Sequence, residues 1–225
     1  AQRAINSADV EANSVEYGVG LVKLMGRSSG FIALQAATAN RNVNVCLIPE
    51  SEFELSGPNG VYEYIAERLR RKGHVVVVVA EGAASACQDE KLQTEGTDAS
   101  GNPVLYDIGT HLKKGIVNYC KSKNINVTLK YIDPTYMIRT LPANSHDKVL
   151  CACLSQAAVH GLFAGFTGFT VGTVGGHPVY IPIDHLSEVK EGKDAKKGQR
   201  RVDIEGDMMW WRLMASTGQP SFRNS

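Results

Sequence analysis

Residues 21–30, LVKLMGRSSG, decide the fold class because they combine an apolar run, a glycine break and the start of a helix. The apolar run ends at Gly26, and residues 31–37 have the composition of a helix. The pattern therefore predicts a strand, a tight glycine turn and a helix. Ser28 or Ser29 can cap this helix, and its first-turn amides then favour an anion in the turn.

Arg27 lies in the predicted turn and adds a fixed, forked positive charge to it. An isolated Gly-Arg-Ser turn is more often an ordinary connection with a solvated arginine. The recurrence of polar residues at strand ends further along the chain favours binding instead.

The composition is that of an ordinary globular protein with one large domain or two small ones. The chain has 225 residues, of which 43% are hydrophobic and 21% charged, enough to fill a core. Its net charge of +1 gives no strong field toward nucleic acid or an anionic membrane. The longest aliphatic run, residues 75–80, is too short to span a bilayer. We therefore expect neither nucleic acid nor a membrane as a partner.

The five cysteines indicate reduced thiols in a cytosolic-type compartment. Cys151 and Cys153 lack redox or zinc spacing, and no second Cys/His pair completes a metal site. We interpret them as buried small hydrophobic residues and expect a cytoplasmic protein, with an organelle such as a glycosome or plastid left open.

Along the rest of the chain, helices alternate with strands, which predicts an α/β fold: three layers, with a mostly parallel sheet flanked by helices. Helices are expected over residues 1–15, 31–37, 58–72, 106–119, 144–164 and 207–217, and strands over 43–48, 74–80, 126–132, 169–174 and 179–183. Trp210 and Trp211 are expected to anchor the last helix. Loops are expected over residues 83–103, 135–143 and 187–200.

Charged and polar residues stand at the ends of the first four strands, which open on the same side of a parallel sheet. They are Arg27, Glu50, Glu81 and Lys130, with Tyr136 and Arg139 just beyond the fourth strand. Cations beside a helix N-terminus suit a phosphate, and a carboxylate accepts hydrogen bonds from hydroxyls. The set therefore fits a small polyol phosphate, such as a sugar phosphate. Taken singly, each residue is better explained structurally, Glu81 as a helix-cap acid and Lys130 as a strand lysine with its stem along the surface; only the set as a whole favours binding.

Other sites of phosphate chemistry are missing from the sequence. It contains no G-x-x-x-x-G-K-[ST] loop and no G-x-G-x-x-G that opens a helix after a strand. None of the six histidines belongs to a recognisable Ser-His-Asp arrangement in the sequence. The sequence thus predicts a substrate rim without a nucleotide cradle, a metal site or an obvious catalytic base.

Five segments, in the same order, resemble the phosphofructokinase family. They are KLMGRSSGF at 23–31, CLIPE at 46–50, VAEG at 79–82, DASGN at 98–102 and KYIDPTYMIR at 130–139. They are most similar to the plant and protist ATP-dependent branch, which is close in sequence to the pyrophosphate-dependent enzymes. STGQP at 216–220 fits the same branch, so the resemblance covers essentially all of the chain.

The resemblance implies that residues 1–225 are the C-terminal, fructose 6-phosphate-binding half of an ATP-dependent 6-phosphofructokinase. The N-terminal nucleotide-binding half, with the family's Gly-Gly-Asp-Gly and Thr-Ile-Asp-Asn-Asp loops, is then expected outside this chain. The implied reaction moves the γ-phosphoryl group of ATP to the sugar 1-hydroxyl in glycolysis. Mg²⁺ would enter with ATP and be bound mainly by that other half. The family is commonly a homotetramer under allosteric control.

The resemblance also implies the roles of individual residues. The implied substrate-binding residues are Met25, Gly26, Arg27, Glu81, Lys130, Tyr136 and Arg139. Arg27 is the implied catalytic residue, because it would meet the transferring phosphoryl group. Lys130 and Tyr136 stand where many bacterial relatives carry an arginine and a histidine. Gly18 replaces an arginine that bacterial relatives supply to the neighbouring subunit's sugar site.

Two alternatives to an ATP-dependent enzyme remain open at this point. One is a pyrophosphate-dependent enzyme of the same fold, since donor choice depends on a loop outside this chain. The other is a non-catalytic sugar-phosphate-binding or regulatory subunit.

Overall fold

The expected strand, turn and helix at the start of the chain are present in the computed structural model, which describes residues 1–88, 92, 96, 97, 99, 101, 104–187 and 200–224. The helices are α1 (Gln2–Asn13), α2 (Phe31–Thr38), α3 (Val61–Lys72), α4 (Ile108–Ser122), α5 (Thr135–Arg139), α6 (Ser145–Phe163), α7 (Ile183–Ser187) and α8 (Met208–Thr217). The strands are β1 (Gly18–Leu24), β2 (Val45–Leu47), β3 (His74–Ala80), β4 (Thr128–Ile132), β5 (Phe169–Val174) and β6 (His177–Pro182). The chain forms two compact units, residues 1–139 with 201–225, and residues 140–200.

The sheet of the first unit has the strand order β2-β3-β1-β4, and every neighbouring pair is parallel. β1 pairs with β3 along its whole length, from Gly18 opposite His74 to Leu24 opposite Ala80. Residues 75–80 of β3 are fully buried, which explains their unbroken apolar sequence. The strands therefore end together at one edge of the sheet, as the sequence predicted.

Helices cover both faces of this sheet. On one face, Leu21 and Val77 lie in a core with Ile65 of α3 and Leu112 of α4. On the other face, residues of α1, α2 and α8 pack against the alternate side chains of the same strands. The predicted α/β class, with a parallel sheet between helical layers, is thus confirmed.

In the second unit, α6 packs on an antiparallel hairpin of β5 and β6. Asn144 caps α6 by accepting a hydrogen bond from the amide of Asp147 at 2.9 Å. The Tyr180 hydroxyl of β6 donates to the carbonyl oxygen of Ala157 on α6 at 2.9 Å. The expected helix and strand pair are therefore present. Across the residues that the structure describes, no helix has both the length and the apolar character needed to cross a membrane.

Several expectations about the connecting segments were wrong or fall outside the described residues. Residues 135–139, expected in a loop, form α5, because the Asp133 carboxylate accepts hydrogen bonds from the amide and hydroxyl of Thr135. The expected loop at 83–103 begins inside a short 3-10 helix, Glu81–Ala86. Most of the expected loop at 187–200 lies outside the described residues.

Two expectations about buried side chains were also wrong. Trp210 lies in the core, but Trp211 is 56% exposed and donates its indole N–H to the carbonyl oxygen of Glu205. Cys151 and Cys153 are exposed on α6 rather than buried. Cys46 is buried, and burial raises the pKa of its thiol to about 12, which keeps it neutral.

Gln219 completes the outer edge of the sheet at β2. The amide of Cys46 donates to Gln219 Oε1 at 2.7 Å, and Gln219 Nε2 donates to the carbonyl oxygen of Cys46 at 3.2 Å. One side-chain amide thereby replaces the two hydrogen bonds of a neighbouring strand. Gly218, with φ of 63°, ends α8 in the left-handed conformation that favours glycine. Gln219, two residues after the end of α8, thus connects the last helix to the sheet.

We predict that Gln219→Ala lowers the free energy of unfolding by roughly 2–4 kcal/mol, because it leaves a buried amide and a buried carbonyl of Cys46 unpaired. Urea denaturation followed by circular dichroism measures the change. Gln35→Ala, at an exposed glutamine of α2, is the matched control and should change the stability little. Equal stability of the two variants would contradict the role of Gln219.

Candidate functional site

The turn after β1 has a backbone conformation that only glycine tolerates. Gly26 has a φ of 145°, and a Cβ atom there would lie 2.6 Å from the carbonyl oxygen of Ser29. The turn therefore places Met25 and Arg27 at the carboxyl end of β1, which lies between β3 and β4 in the sheet. Arg27 is exposed and Met25 is half-buried.

The segment after β3 packs directly against this turn. The amide of Gly82 donates to the carbonyl oxygen of Gly26 at 3.0 Å, and the amide of Gly26 lies 3.5 Å from Glu81 Oε1. A Cβ atom on Gly82 would stand 1.9 Å from the carbonyl oxygen of Arg27. Two segments that are 55 residues apart in sequence are thus in backbone contact, and Glu81 lies beside Gly26.

Glu50 has a structural role in place of the rim position that the sequence suggested. The N-cap of α2 is Gly30, whose amide donates to both carboxylate oxygens of Glu50 at 3.0 Å. The same carboxylate accepts from the amide of Val202 at 2.9 Å. The expected cap by Ser28 or Ser29 was therefore wrong. A carboxylate of the chain itself occupies the positive end of α2.

Tyr136 and Arg139 lie on α5, which begins just beyond β4, the other neighbour of β1. Both residues are exposed, Tyr136 by 79%. In sheet order, α5 and the segment that begins with Glu81 therefore flank the turn of Arg27. This arrangement brings three sequence-distant segments to the same edge of one compact unit.

Lys130 lies elsewhere on β4. It is in register with Gly20, four residues before the end of β1, roughly 13 Å below that edge at about 3.3 Å per residue. Its ammonium group lies 3.6 Å from Glu11 Oε2 of α1. The structure does not bring Lys130 to Arg27 and Glu81, and the ion pair with Glu11 gives it a structural explanation.

A cluster of charges lies directly beneath this edge of the sheet. Lys23 Nζ lies 2.9 Å from Asp133 Oδ2 and 3.7 Å from Asp107 Oδ1, and the Lys23 side chain is only 18% exposed. Burial alone would raise the pKa of Asp133, but hydrogen bonds from Thr135 and Lys23 outweigh it and hold that pKa below its usual range. Burial likewise opposes the shift at Asp107, where hydrogen bonds with Thr110 and the charge of Lys23 lower the pKa.

The rim residues do not form a metal site. Arg27 and Arg139 are cations, and Glu81 is the one carboxylate of the proposed set, whereas Mg²⁺ prefers several oxygen ligands. In the part of the chain that the structure describes, no three His, Cys, Asp or Glu side chains are grouped as metal ligands. The donor set suits an anion with hydroxyl groups instead.

Sequence reasoning missed two features of this region. One is the contact of Gly82 with Arg27, which requires a glycine at position 82. The other is Lys23, a charged residue within the otherwise apolar sequence of β1. A charge within a buried strand requires partners, which is a signal for an internal ion pair. Its partners, Asp107 and Asp133, are too distant in sequence to be identified from spacing.

These features define an α/β protein whose parallel sheet carries cationic side chains at its carboxyl edge. The sequence model of the family described as Phosphofructokinase matches residues 1–162. The chain is 51% identical to ATP-dependent 6-phosphofructokinase 1 of Arabidopsis thaliana, over 99% of this chain and 45% of that protein. It is 42% identical to the ATP-dependent 6-phosphofructokinase of Borreliella burgdorferi, over 96% of this chain and 47% of that protein.

The solved structure of a pyrophosphate-dependent phosphofructokinase from Marinobacter aquaeolei shares the fold, with a TM-score of 0.62 and 14% identity. That match covers 96% of this chain and 51% of the other. The chain belongs to the phosphofructokinase family, as its motifs indicated. It spans about half the length of the curated relatives it matches.

We predict that Gly82→Ala displaces the Arg27 backbone and lowers the free energy of unfolding by about 1–3 kcal/mol, the usual cost of overpacking. Thermal denaturation of the purified protein measures the effect. Lys114→Ala, at an exposed lysine of α4, is the control. A Gly82→Ala protein as stable as the Lys114→Ala protein would contradict the tight contact.

The charge cluster predicts a pH dependence of stability. The pKa values of Asp107 and Asp133 are lower in the folded chain than in the unfolded chain, because of hydrogen bonds with Thr110 and Thr135 and the contacts with Lys23. These interactions together stabilise the fold fully above about pH 3.9, and Lys23 supplies part of that stabilisation. This stabilisation is lost as the pH falls through the folded pKa values. Lys23→Met should therefore be destabilised at pH 6 and approach the wild type at the lowest accessible pH in urea titrations. Lys113→Met, at an exposed lysine of α4, should show no such convergence.

Proposed function

We propose that this chain supplies the sugar-phosphate site of an ATP-dependent 6-phosphofructokinase, which converts fructose 6-phosphate to fructose 1,6-bisphosphate in glycolysis. The observation that supports the proposal best is the contact between the Gly26–Arg27 turn and the Glu81–Gly82 segment at the carboxyl edge of the sheet. It brings a guanidinium-bearing turn beside a carboxylate, the two groups that a phosphorylated sugar requires. The names of the relatives at 42% and 51% identity support the same reaction.

In this proposal, each rim residue has a distinct task. Arg139 binds the 6-phosphate through charge-assisted hydrogen bonds, and Tyr136 adds a hydroxyl beside it. Glu81 accepts hydrogen bonds from the sugar hydroxyls. Met25 and Gly26 shape the backbone against which the sugar lies. Lys130 stays in the proposed set by family resemblance, although it would have to leave Glu11 or act on another copy of the chain.

Arg27 is the proposed catalytic residue. The oxygen of the sugar 1-hydroxyl attacks the γ-phosphorus, the bond from that phosphorus to the ADP oxygen breaks, and the hydroxyl proton leaves to a base. Charge accumulates on the phosphoryl oxygens during this transfer, and a positioned guanidinium lowers the energy of that state. We assign the base to the nucleotide-binding half, because the rim residues other than Glu81 do not include a carboxylate or imidazole.

We further infer that ATP and its Mg²⁺ are bound mainly by that other half, joined to this chain or separate from it. Mg²⁺ would neutralise phosphate charge there. By family resemblance, we expect the complete enzyme to be a homo-oligomer, a tetramer, with allosteric control. A cytoplasmic location remains our expectation, although one relative at 50% identity is named chloroplastic.

Two other functions remain distinguishable by assay. A solved pyrophosphate-dependent enzyme shares the fold at 14% identity, whereas the relatives near 50% identity are named ATP-dependent, which favours ATP as the donor. A non-catalytic regulatory subunit would bind fructose 6-phosphate without turnover. Assaying the assembled enzyme with ATP and then with pyrophosphate separates all three: we expect turnover with ATP, while turnover with pyrophosphate alone, or none, would overturn the proposal.

We predict that Arg139→Ala raises the KM for fructose 6-phosphate about 10- to 150-fold, since a hydrogen bond to a charged group contributes about 1.5–3 kcal/mol. Arg27→Ala should lower kcat by at least as much, because its contact strengthens as the phosphoryl group transfers. Steady-state kinetics at saturating ATP measure both. Arg71→Ala, at a surface arginine of α3 that is 73% exposed, is the control. Unchanged kinetics in both rim variants would contradict the proposed site.

A further inference from the structure

We propose that Lys23 is a positioning residue for the sugar-phosphate site. Its ion pair with Asp133 fixes α5 to β1 and thereby holds Tyr136 and Arg139 in place relative to Arg27. This inference deepens the function proposed above and rests on it for the identity of the substrate.

The ion pair joins β1 and β4, two of the three strands that carry the site. Lys23 lies on β1, two residues before Met25, and Asp133 is the first residue after β4. Their charged atoms are 2.9 Å apart, and the Lys23 side chain is mostly buried, so solvent and salt screen this pair less than a surface pair. The carboxyl ends of β1 and β4 are therefore linked by a side-chain contact in addition to the backbone hydrogen bonds between the strands.

Asp133 passes this link directly to α5. Its Oδ2 faces Lys23, while its Oδ1 accepts hydrogen bonds from the amide of Thr135 at 3.2 Å and from the Thr135 hydroxyl at 2.6 Å. Thr135 is the first residue of α5, and Arg139 is the last. One carboxylate thus connects the central strand to the start of the helix that bears the proposed phosphate ligands.

α5 is a single helical turn near the surface of the first unit. It contains five residues, and none of these five described residues is buried, although Ile138 packs partly against the core. A single helical turn is unstable in isolation, because nucleating a helix costs more than one hydrogen bond returns. The order of α5 must therefore come from its contacts. These include the tether at Asp133, the partly packed Ile138 and the buried Pro134, whose carbonyl oxygen accepts from the amide of Ile138 at 2.9 Å.

A second contact braces Lys23 itself. Asp107, 3.7 Å from Lys23 Nζ, caps α4 by accepting from the amide of Thr110 at 3.2 Å. Tyr131 lies against Gly109 in the first turn of α4, where a Cβ atom would stand 2.2 Å from the tyrosine hydroxyl. Lys23 is thus the shared counter-ion of the first turns of α4 and α5, and it cannot move without disturbing both.

The same geometry indicates that Lys23 acts through α5 and not on the substrate. Two carboxylates already balance its charge. It also follows Val19 and Leu21 on the face of β1 that packs against α3 and α4, beneath the rim. Burying an ammonium there has a desolvation cost that the partners offset, so removing Lys23 costs stability by leaving partly buried carboxylates without their cation, while the intact pair fixes the geometry.

Steady-state kinetics of the assembled enzyme, with this chain and the nucleotide-binding half present, test the proposal. Lys23→Met should raise the KM for fructose 6-phosphate at least tenfold, with kcat and the KM for ATP within threefold of the wild type. Lys23→Arg should restore the KM to within threefold. Asp133→Asn keeps the Oδ1 acceptor for Thr135 but loses the charge, and it should behave like Lys23→Met. Lys113→Met on α4 is the matched control.

A double-mutant cycle separates positioning from general destabilisation. If Lys23 acts by placing Arg139, Lys23→Met should raise the KM less than twofold further in an Arg139→Ala background. Effects that multiply in the double variant would overturn the proposal. An active wild-type enzyme together with an unchanged KM for fructose 6-phosphate in Lys23→Met would also overturn it.

Hydrogen–deuterium exchange gives a readout that does not depend on the substrate. Peptides covering residues 133–139 should exchange at least tenfold faster in Lys23→Met and Asp133→Asn than in the wild type, while α3 peptides stay protected. Unchanged exchange in α5 would overturn the tether even in an active enzyme. If the wild type does not phosphorylate fructose 6-phosphate but α5 loses protection, the proposed function fails and the tether stands.

Discussion

The parallel hydrogen bonding of β1 to β3 on one side and to β4 on the other is the constraint on which the rest of the structure depends. It sets the ends of three strands side by side, so the segments that follow them must meet. A shift of one residue along β1 would turn Leu24 and Lys23 to the opposite faces and bury a lysine where an apolar core exists. The register and the charge pattern therefore specify each other.

The charged side chains at this edge fall into two groups, one that stabilises the scaffold and one that is proposed to bind the substrate. Glu50 neutralises the start of α2, and Asp107 and Asp133 neutralise Lys23. These carboxylates are used in holding the scaffold together. In the proposed site, phosphate recognition is left to the arginines, whose planar donors define a direction as well as a charge, which the diffuse field of a helix end does not.

The sequence predicted elements whose signal is local. The valines of β3 and the helix that begins at Asn144 are examples, since a run of apolar residues and a polar residue at a helix start are visible in the sequence itself. Features that depend on distant partners were missed or wrongly predicted. Ser28 and Ser29 looked like caps because the competing acceptor, Glu50, lies 20 residues away. The expected meeting of Arg27 and Glu81 required only parallel strands, whereas the position of Lys130 depended on register, which the sequence did not reveal.

The glutamine that completes the outer edge at β2 has a consequence for the chain's behaviour in a crowded cell. An open strand edge with free backbone donors and acceptors invites addition of a strand from another molecule, the first step of aggregation. Gln219 occupies the hydrogen-bonding groups of Cys46 with a side chain that offers no further strand to copy. A single side-chain amide thus blocks the addition of another strand at the β2 edge of the sheet.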